Sequence, residues 1–234
     1  MVGETGVGEM ASMEEHMKVR CLQVTPETMT EALYEAVAVL RQGRVVAYPT
    51  DTVYGLAVNA TDIEAIARLY EVKGRPETKA LPLIIGDVGQ LAEVAATVPP
   101  LAEKLIAAFW PGPLTLLLEP HQALPVELRG ESPRIGVRLP AAMLSQQLAR
   151  AFGHAITATS ANISGAPAAL TAEEVARQLG SAVDLILDGG RAESAEVSTI
   201  LDVVVAPPCV RRPGKISSQA IEAILGDLGS PGTL

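Results

Sequence analysis

The residues of this chain best suited to chemistry are its cations. Seven of the 18 lysines and arginines fall in three short places: Lys73, Arg75 and Lys79; Arg138; and Arg211, Arg212 and Lys215. Each group follows or closes an apolar stretch, so the sequence gathers positive charge at element ends. In a chain of net charge -9 that pattern suits a pocket for an anion such as a triphosphate, held by charge-assisted hydrogen bonds. A solvated basic face is the other reading, since helix C-termini favour cations in any case. Ser160 and Asn162, in S-A-N-I-S-G, either donate to phosphate or cap a turn. His154 reads as structural, and no grouping of Ser, Cys and His suggests a covalent nucleophile.

Several classes are excluded or disfavoured. No Walker sequence and no G-x-G-x-x-G occurs. Three scattered histidines and two cysteines, Cys21 and Cys209, match no metal spacing. Reduced thiols and a cytoplasmic setting are the expectation. The negative net charge argues against a surface made wholly for nucleic acid. No apolar run is long enough for a membrane span, and residues 1–18, glycine-rich and acidic, read as a disordered leader rather than a signal peptide.

The elements that must position these cations alternate between helix and strand. Thr25 and Pro26 open a helix through Met29, Leu33, Val37 and Leu40, with Gly43 beyond its end. Arg44 to Tyr48 is a buried strand stopped by Pro49, and the polar run Thr50-Asp51-Thr52 emerges at its end, where α/β sheets place ligands. Thr61 and Glu64 suggest a capping box for a helix burying Ile63, Ile66, Ala67 and Tyr70. Further strands are expected at Leu81 to Ile85, Leu114 to Glu119, Arg134 to Leu139, Ile156 to Thr159, Val183 to Leu187 and Thr199 to Val205. Helices are expected at Leu101 to Phe109, at Ala141 to Ala151, after a second capping box of Thr171 and Glu174, and through Ile221 and Leu225. This is one α/β domain over residues 19–226, with 227–234 as a flexible tail.

The ordered set Y-P-T-D-T-V-Y-G-L, K-G-R-P, W-P-G-P-L-T, G-V-R-L-P, T-S-A-N-I-S-G, D-G-G and R-R-P-G-K-I resembles the YrdC/Sua5/TsaC family of threonylcarbamoyl-AMP synthases, in its short single-domain form. The resemblance implies a twisted mixed open sheet with flanking helices around a concave cavity. It implies a nucleotidyltransferase that turns L-threonine, bicarbonate and ATP into threonylcarbamoyl-AMP and pyrophosphate, the first step toward the t6A base of tRNAs that read codons beginning with A. Carried across, Lys73 and Arg75 become the catalytic candidates, Lys73, Arg75, Lys79, Ser160, Asn162 and Arg212 the ATP contacts, and Thr50, Arg138 and Ser198 the threonine contacts. Mg2+ is expected with ATP, without named protein ligands. The implied partners are a downstream threonylcarbamoyl transferase and a contact with tRNA or other RNA.

Two departures stand out. Ala141 and Ala142 follow the V-R-L-P motif where the family often has Asp or His, and Ala80 replaces a frequent proline. The alternatives are an RNA-binding module without adenylate synthesis, and the related carbamoyl-transfer domain of hydrogenase-maturation proteins, which sits within a far longer chain.

Overall fold

In the computed structural model, residues 19–192 and 196–229 are described. The expected leader and residues 230–234 of the expected tail lie outside them. Gly229, at the near end of that tail, donates its N–H to the Pro208 carbonyl at 2.7 Å.

The architecture is mixed α/β, with the strands divided between two sheets. The first has five strands, in the order β1 (Arg20–Gln23), β9 (Leu185–Asp188), β2 (Val46–Tyr48), β3 (Gly55–Ala57) and β8 (Thr159–Ser160). β9 runs parallel to both β1 and β2, while β3 is antiparallel to β2 and β8. The second has six, in the order β11 (Cys209–Arg212), β10 (Thr199–Asp202), β5 (Leu114–Leu118), β6 (Ile135–Arg138), β4 (Leu83–Ile84) and β7 (Ile156–Thr157). The single strand expected at Ile156 to Thr159 is in fact shared: β7 and β8 flank Ala158 and belong to different sheets. Thr157 binds the sheets together, its hydroxyl donating to Leu56 O (3.2 Å) and accepting from Val58 N (3.0 Å), while its carbonyl accepts from the Tyr48 hydroxyl (3.1 Å).

Helices α1 (Met29–Arg41) and α5 (Met143–Phe152) pack together over one core containing Leu33, Val37, Leu144 and Leu148; α2 (Ile63–Lys73), α4 (Pro100–Phe109) and α6 (Ala172–Leu179) cover a larger one, with a single-turn α3 (Leu91–Val94) beside it and α7 (Ser218–Leu225) against α4.

The capping at three helix starts differs from expectation. α1 begins at Met29, because Thr25 and Thr28 bond each other's backbone N–H (2.9 and 3.4 Å) and hold Pro26 in a turn ahead of the helix. The cap of α2 is Asp62, whose carboxylate accepts from Glu64 N and Ala65 N; Thr61 instead donates to Asn59 Oδ1. That shift turns Ile63 to solvent and buries Ala65, Ile66, Leu69, Tyr70 and Lys73. At α6 the Thr171 hydroxyl caps Glu174 N as expected, but the Glu174 carboxylate reaches back to Leu170 N (2.7 Å).

Candidate functional site

An open cavity lies between the sheets. The first sheet contributes Thr50 and Thr52 from the turn after β2, and Ser160 at the end of β8. The second contributes Thr115, Arg138 and Ser198, with Leu83 and Leu117 as an apolar floor. Arg75 and Arg212 close the rim. Three guanidiniums therefore face one space, and among the described residues its wall carries no Asp or Glu.

Local sequence explains how each cation arrives. α2 ends with Gly74 at φ 53°, a left-handed position that suits glycine, and Gly74 N and Arg75 N close back onto Glu71 O and Tyr70 O, both at 3.0 Å. The reversal sends neighbouring cations to different places. Lys73 turns inward, 2% exposed, and its ammonium donates to Ser160 O, to Asn162 O at 2.9 Å and to Asn162 Oδ1 at 3.4 Å. Burial, and secondarily the charge of Arg75, pushes its pKa down to about 8. Arg75 turns to the cavity, anchored on the carbonyls of Ala80 (3.0 Å) and Lys79 (3.4 Å).

Behind Ser160 the loop is tightly organised. The Ser160 hydroxyl donates to Asn162 Oδ1 (2.5 Å), and Asn162 Nδ2 donates to Ile163 O and Ala166 O (2.8 Å each). Asn162 and Lys73 thus stand one layer back from the wall, holding Ser160. Lys79 is exposed and off the wall; its carbonyl serves Arg75 and the Tyr70 hydroxyl.

On the opposite wall Arg212 donates to Ser198 O (2.8 and 3.2 Å) and Ser198 Oγ (3.0 Å), and Ser198 Oγ lies 2.8 Å from Thr115 Oγ1. Gly214 makes the approach possible: a Cβ there would lie 2.6 Å from Ser198 C and Thr199 N. Desolvation and then the charges of Arg138 and Arg75 push the Arg212 pKa below the ordinary arginine value. Arg138, 7% exposed, is held by three tethers: its Nε donates to Gly112 O (3.0 Å), its Nη1 to Thr52 Oγ1 (3.1 Å) and its Nη2 to the Asp51 carboxylate. Thr50 Oγ1 donates to Val53 O (2.7 Å) and accepts from Thr52 N (3.1 Å), setting the turn.

The structure therefore brings Thr50, Arg75, Arg138, Ser160, Ser198 and Arg212 to the lining of one cavity, places Lys73 and Asn162 behind it, and leaves Lys79 aside. Sequence reading placed Asp51 and Thr52 in a turn suited to ligands without giving them a role, and missed Thr115. The T-D-T pattern was the available signal for the first two; nothing local marks Thr115 within an apolar strand. No cluster of three or more metal-ligating side chains occurs among the described residues. Nor is any described helix long and apolar enough to cross a membrane.

The family model described as Telomere recombination (Sua5/YciO/YrdC) matches residues 38–214. The threonylcarbamoyl-AMP synthase of Pyrococcus abyssi is 38% identical over 193 residues, covering 82% of this chain and 57% of that protein. The threonylcarbamoyl-AMP synthase of Bos taurus is 40% identical over 207 residues, covering 86% of this chain and 74% of that protein. A crystal structure of P. abyssi Sua5 complexed with L-threonine superposes with a TM-score of 0.85 at 35% identity, covering 91% of this chain and 62% of that one. This chain spans less than two thirds of the archaeal protein's length. With the matched span covering most of its length, the chain belongs to the Sua5/YciO/YrdC family.

Proposed function

We propose that this protein is an L-threonylcarbamoyladenylate synthase, joining L-threonine, bicarbonate and ATP into threonylcarbamoyl-AMP with release of pyrophosphate. The observation that supports it most is the convergence of Arg75, Arg138 and Arg212 on a cavity whose wall, among the described residues, holds no carboxylate, since both ATP and an amino acid present anions there. The relatives' names and the threonine complex of the archaeal homologue add to that support.

In this reading Arg75 and Arg212 hold the phosphates, and Ser160 offers its hydroxyl from the loop that Lys73 and Asn162 stiffen. Arg138, with Thr50 and Ser198, receives threonine. Bicarbonate takes up a proton and loses water to give CO2; the threonine amine attacks that CO2, and the carbamate forms with release of a proton that replaces the one consumed. A carbamate oxygen then attacks the ATP α-phosphorus, and the bond to the β-phosphate oxygen breaks to release pyrophosphate. No protein nucleophile is required; the work is proximity and stabilisation of charge by fixed guanidiniums. Mg2+ enters in this reading as the counter-ion of ATP, part of the substrate.

The product is a labile mixed anhydride, so a transferase that carries the threonylcarbamoyl group to tRNA must consume it. A contact with tRNA belongs to that handover. A reducing cytoplasmic setting fits a sequence whose two cysteines, Cys21 and Cys209, match no metal or redox spacing. The test is pyrophosphate release from ATP with each co-substrate omitted in turn: release only when threonine and bicarbonate are both present is the expected result, and equal release without threonine removes the proposal.

A further inference from the structure

We infer that Asp51 sorts the two anionic substrates: it fixes and neutralises Arg138, reserving that end of the cavity for a monoanionic carboxylate and leaving polyphosphate to Arg75 and Arg212. The inference deepens the reading above and rests on it.

Asp51 is 2% exposed, lies behind the wall and gives Oδ1 to Arg138 Nη2. A guanidinium has five N–H donors. Gly112 O, Thr52 Oγ1 and Asp51 take three, which leaves one on each terminal nitrogen, the fork that grips a carboxylate. The tethers come from separate segments, the Thr50–Val53 turn and the corner before β5, so the plane of the fork is set before any ligand enters.

Charge separates Arg138 from the other two. Among the ion pairs of the described residues, Arg138 has a carboxylate partner while Arg75 and Arg212 appear in none. Those two donate only to backbone carbonyls and the Ser198 hydroxyl. No carboxylate of the described residues pairs with either of them, as a polyphosphate site requires. At the Arg138 end the Asp51 charge opposes an incoming anion in proportion to that anion's charge, so it penalises a polyphosphate several times more than a carboxylate. Stability alone gives little reason for the arrangement. A buried ion pair is costly to desolvate, and Asp51 Oδ2 has no hydrogen-bond partner among the described residues.

The test is calorimetric titration of the full chain with L-threonine and with pyrophosphate. In the wild type the two should bind together, without competing. Asp51→Asn keeps the acceptor oxygen and removes the charge; it should bind threonine alone at least as tightly as the wild type does. It should also let pyrophosphate occupy the Arg138 end and displace threonine, a gain that disappears in Asp51→Asn/Arg138→Ala. Thr52→Val, which removes a tether and no charge, should weaken threonine without that gain. Competition in the wild type, or an Asp51→Asn protein altered only in thermal stability, overturns the inference. The wild-type competition decides even where the variant does not fold. A wild type that binds no threonine defeats the functional reading instead, and the pyrophosphate titrations of Asp51→Asn and the double variant still judge the sorting.

Discussion

Lys73 carries a buried charge with no carboxylate beside it, and the cost of that charge is measurable through pH. Its ordinary pKa of 10.5 falls to about 8 in the folded protein. At about 1.4 kcal/mol per unit, the difference amounts to roughly 3 kcal/mol. The direction follows from linkage. Between about 8 and 10.5 the unfolded chain binds the proton more fully than the folded one, so stability rises with pH across that window. Below about pH 8 both states are protonated and the full penalty applies. Cys21, Tyr48, Tyr54 and Tyr70 also shift upward, chiefly through burial, so the wild type alone would blur the effect. The difference between wild type and Lys73→Met isolates it. Urea unfolding of both proteins from pH 7 to 10.5 should show the wild type gaining up to about 3 kcal/mol on the variant. A difference that stays flat across that window would refute the claim that Lys73 is desolvated and charged behind Ser160.

Other outcomes follow from the same geometry. Arg75→Ala should leave folding intact, since its only bonds are to two carbonyls, while costing roughly 2 to 4 kcal/mol of transition-state stabilisation in kcat/KM for adenylate formation. Arg138→Ala should raise the KM for threonine more than that for ATP. Because it strands the buried Asp51 charge, it should also cost about 3 to 5 kcal/mol of stability by chemical denaturation, so unchanged stability would contradict the buried pair. Gly214→Ala must push the Ser198–Thr199 backbone away from Arg212; a kinetic comparison should show lost turnover, and normal turnover would mean that this approach does not matter.

Much of the fold was legible because its signals are local. The apolar runs at Val46–Tyr48 and Leu114–Leu118 and the breakers after them placed β2 and β5 closely. The missed strands depend on distant partners. β1, the exposed-edge segment R-C-L-Q, exists because it pairs in parallel with β9, 165 residues away in register. β3 is three residues beyond a polar turn, fixed by β2 and β8 on its two sides. Nothing in I-T-A-T-S announces that Ala158 passes between sheets. In the site, the charge clusters were visible but their directions were not. Lys73 and Arg75 look equivalent in K-G-R-P, and only the left-handed Gly74 sends one inward and the other to the cavity. Asp51 looked like part of a polar turn until Arg138 from β6 arrived beside it.

The central claim is that one cavity assembles threonine, bicarbonate and ATP into a single adenylate. The most direct measurement is mass spectrometry of the product formed with heavy-carbon bicarbonate. The account predicts threonylcarbamoyl-AMP bearing the heavy carbon, formed by the wild type and lost with Arg75→Ala. A product containing AMP and threonine without the labelled carbon, or ATP breakdown indifferent to bicarbonate, would contradict it.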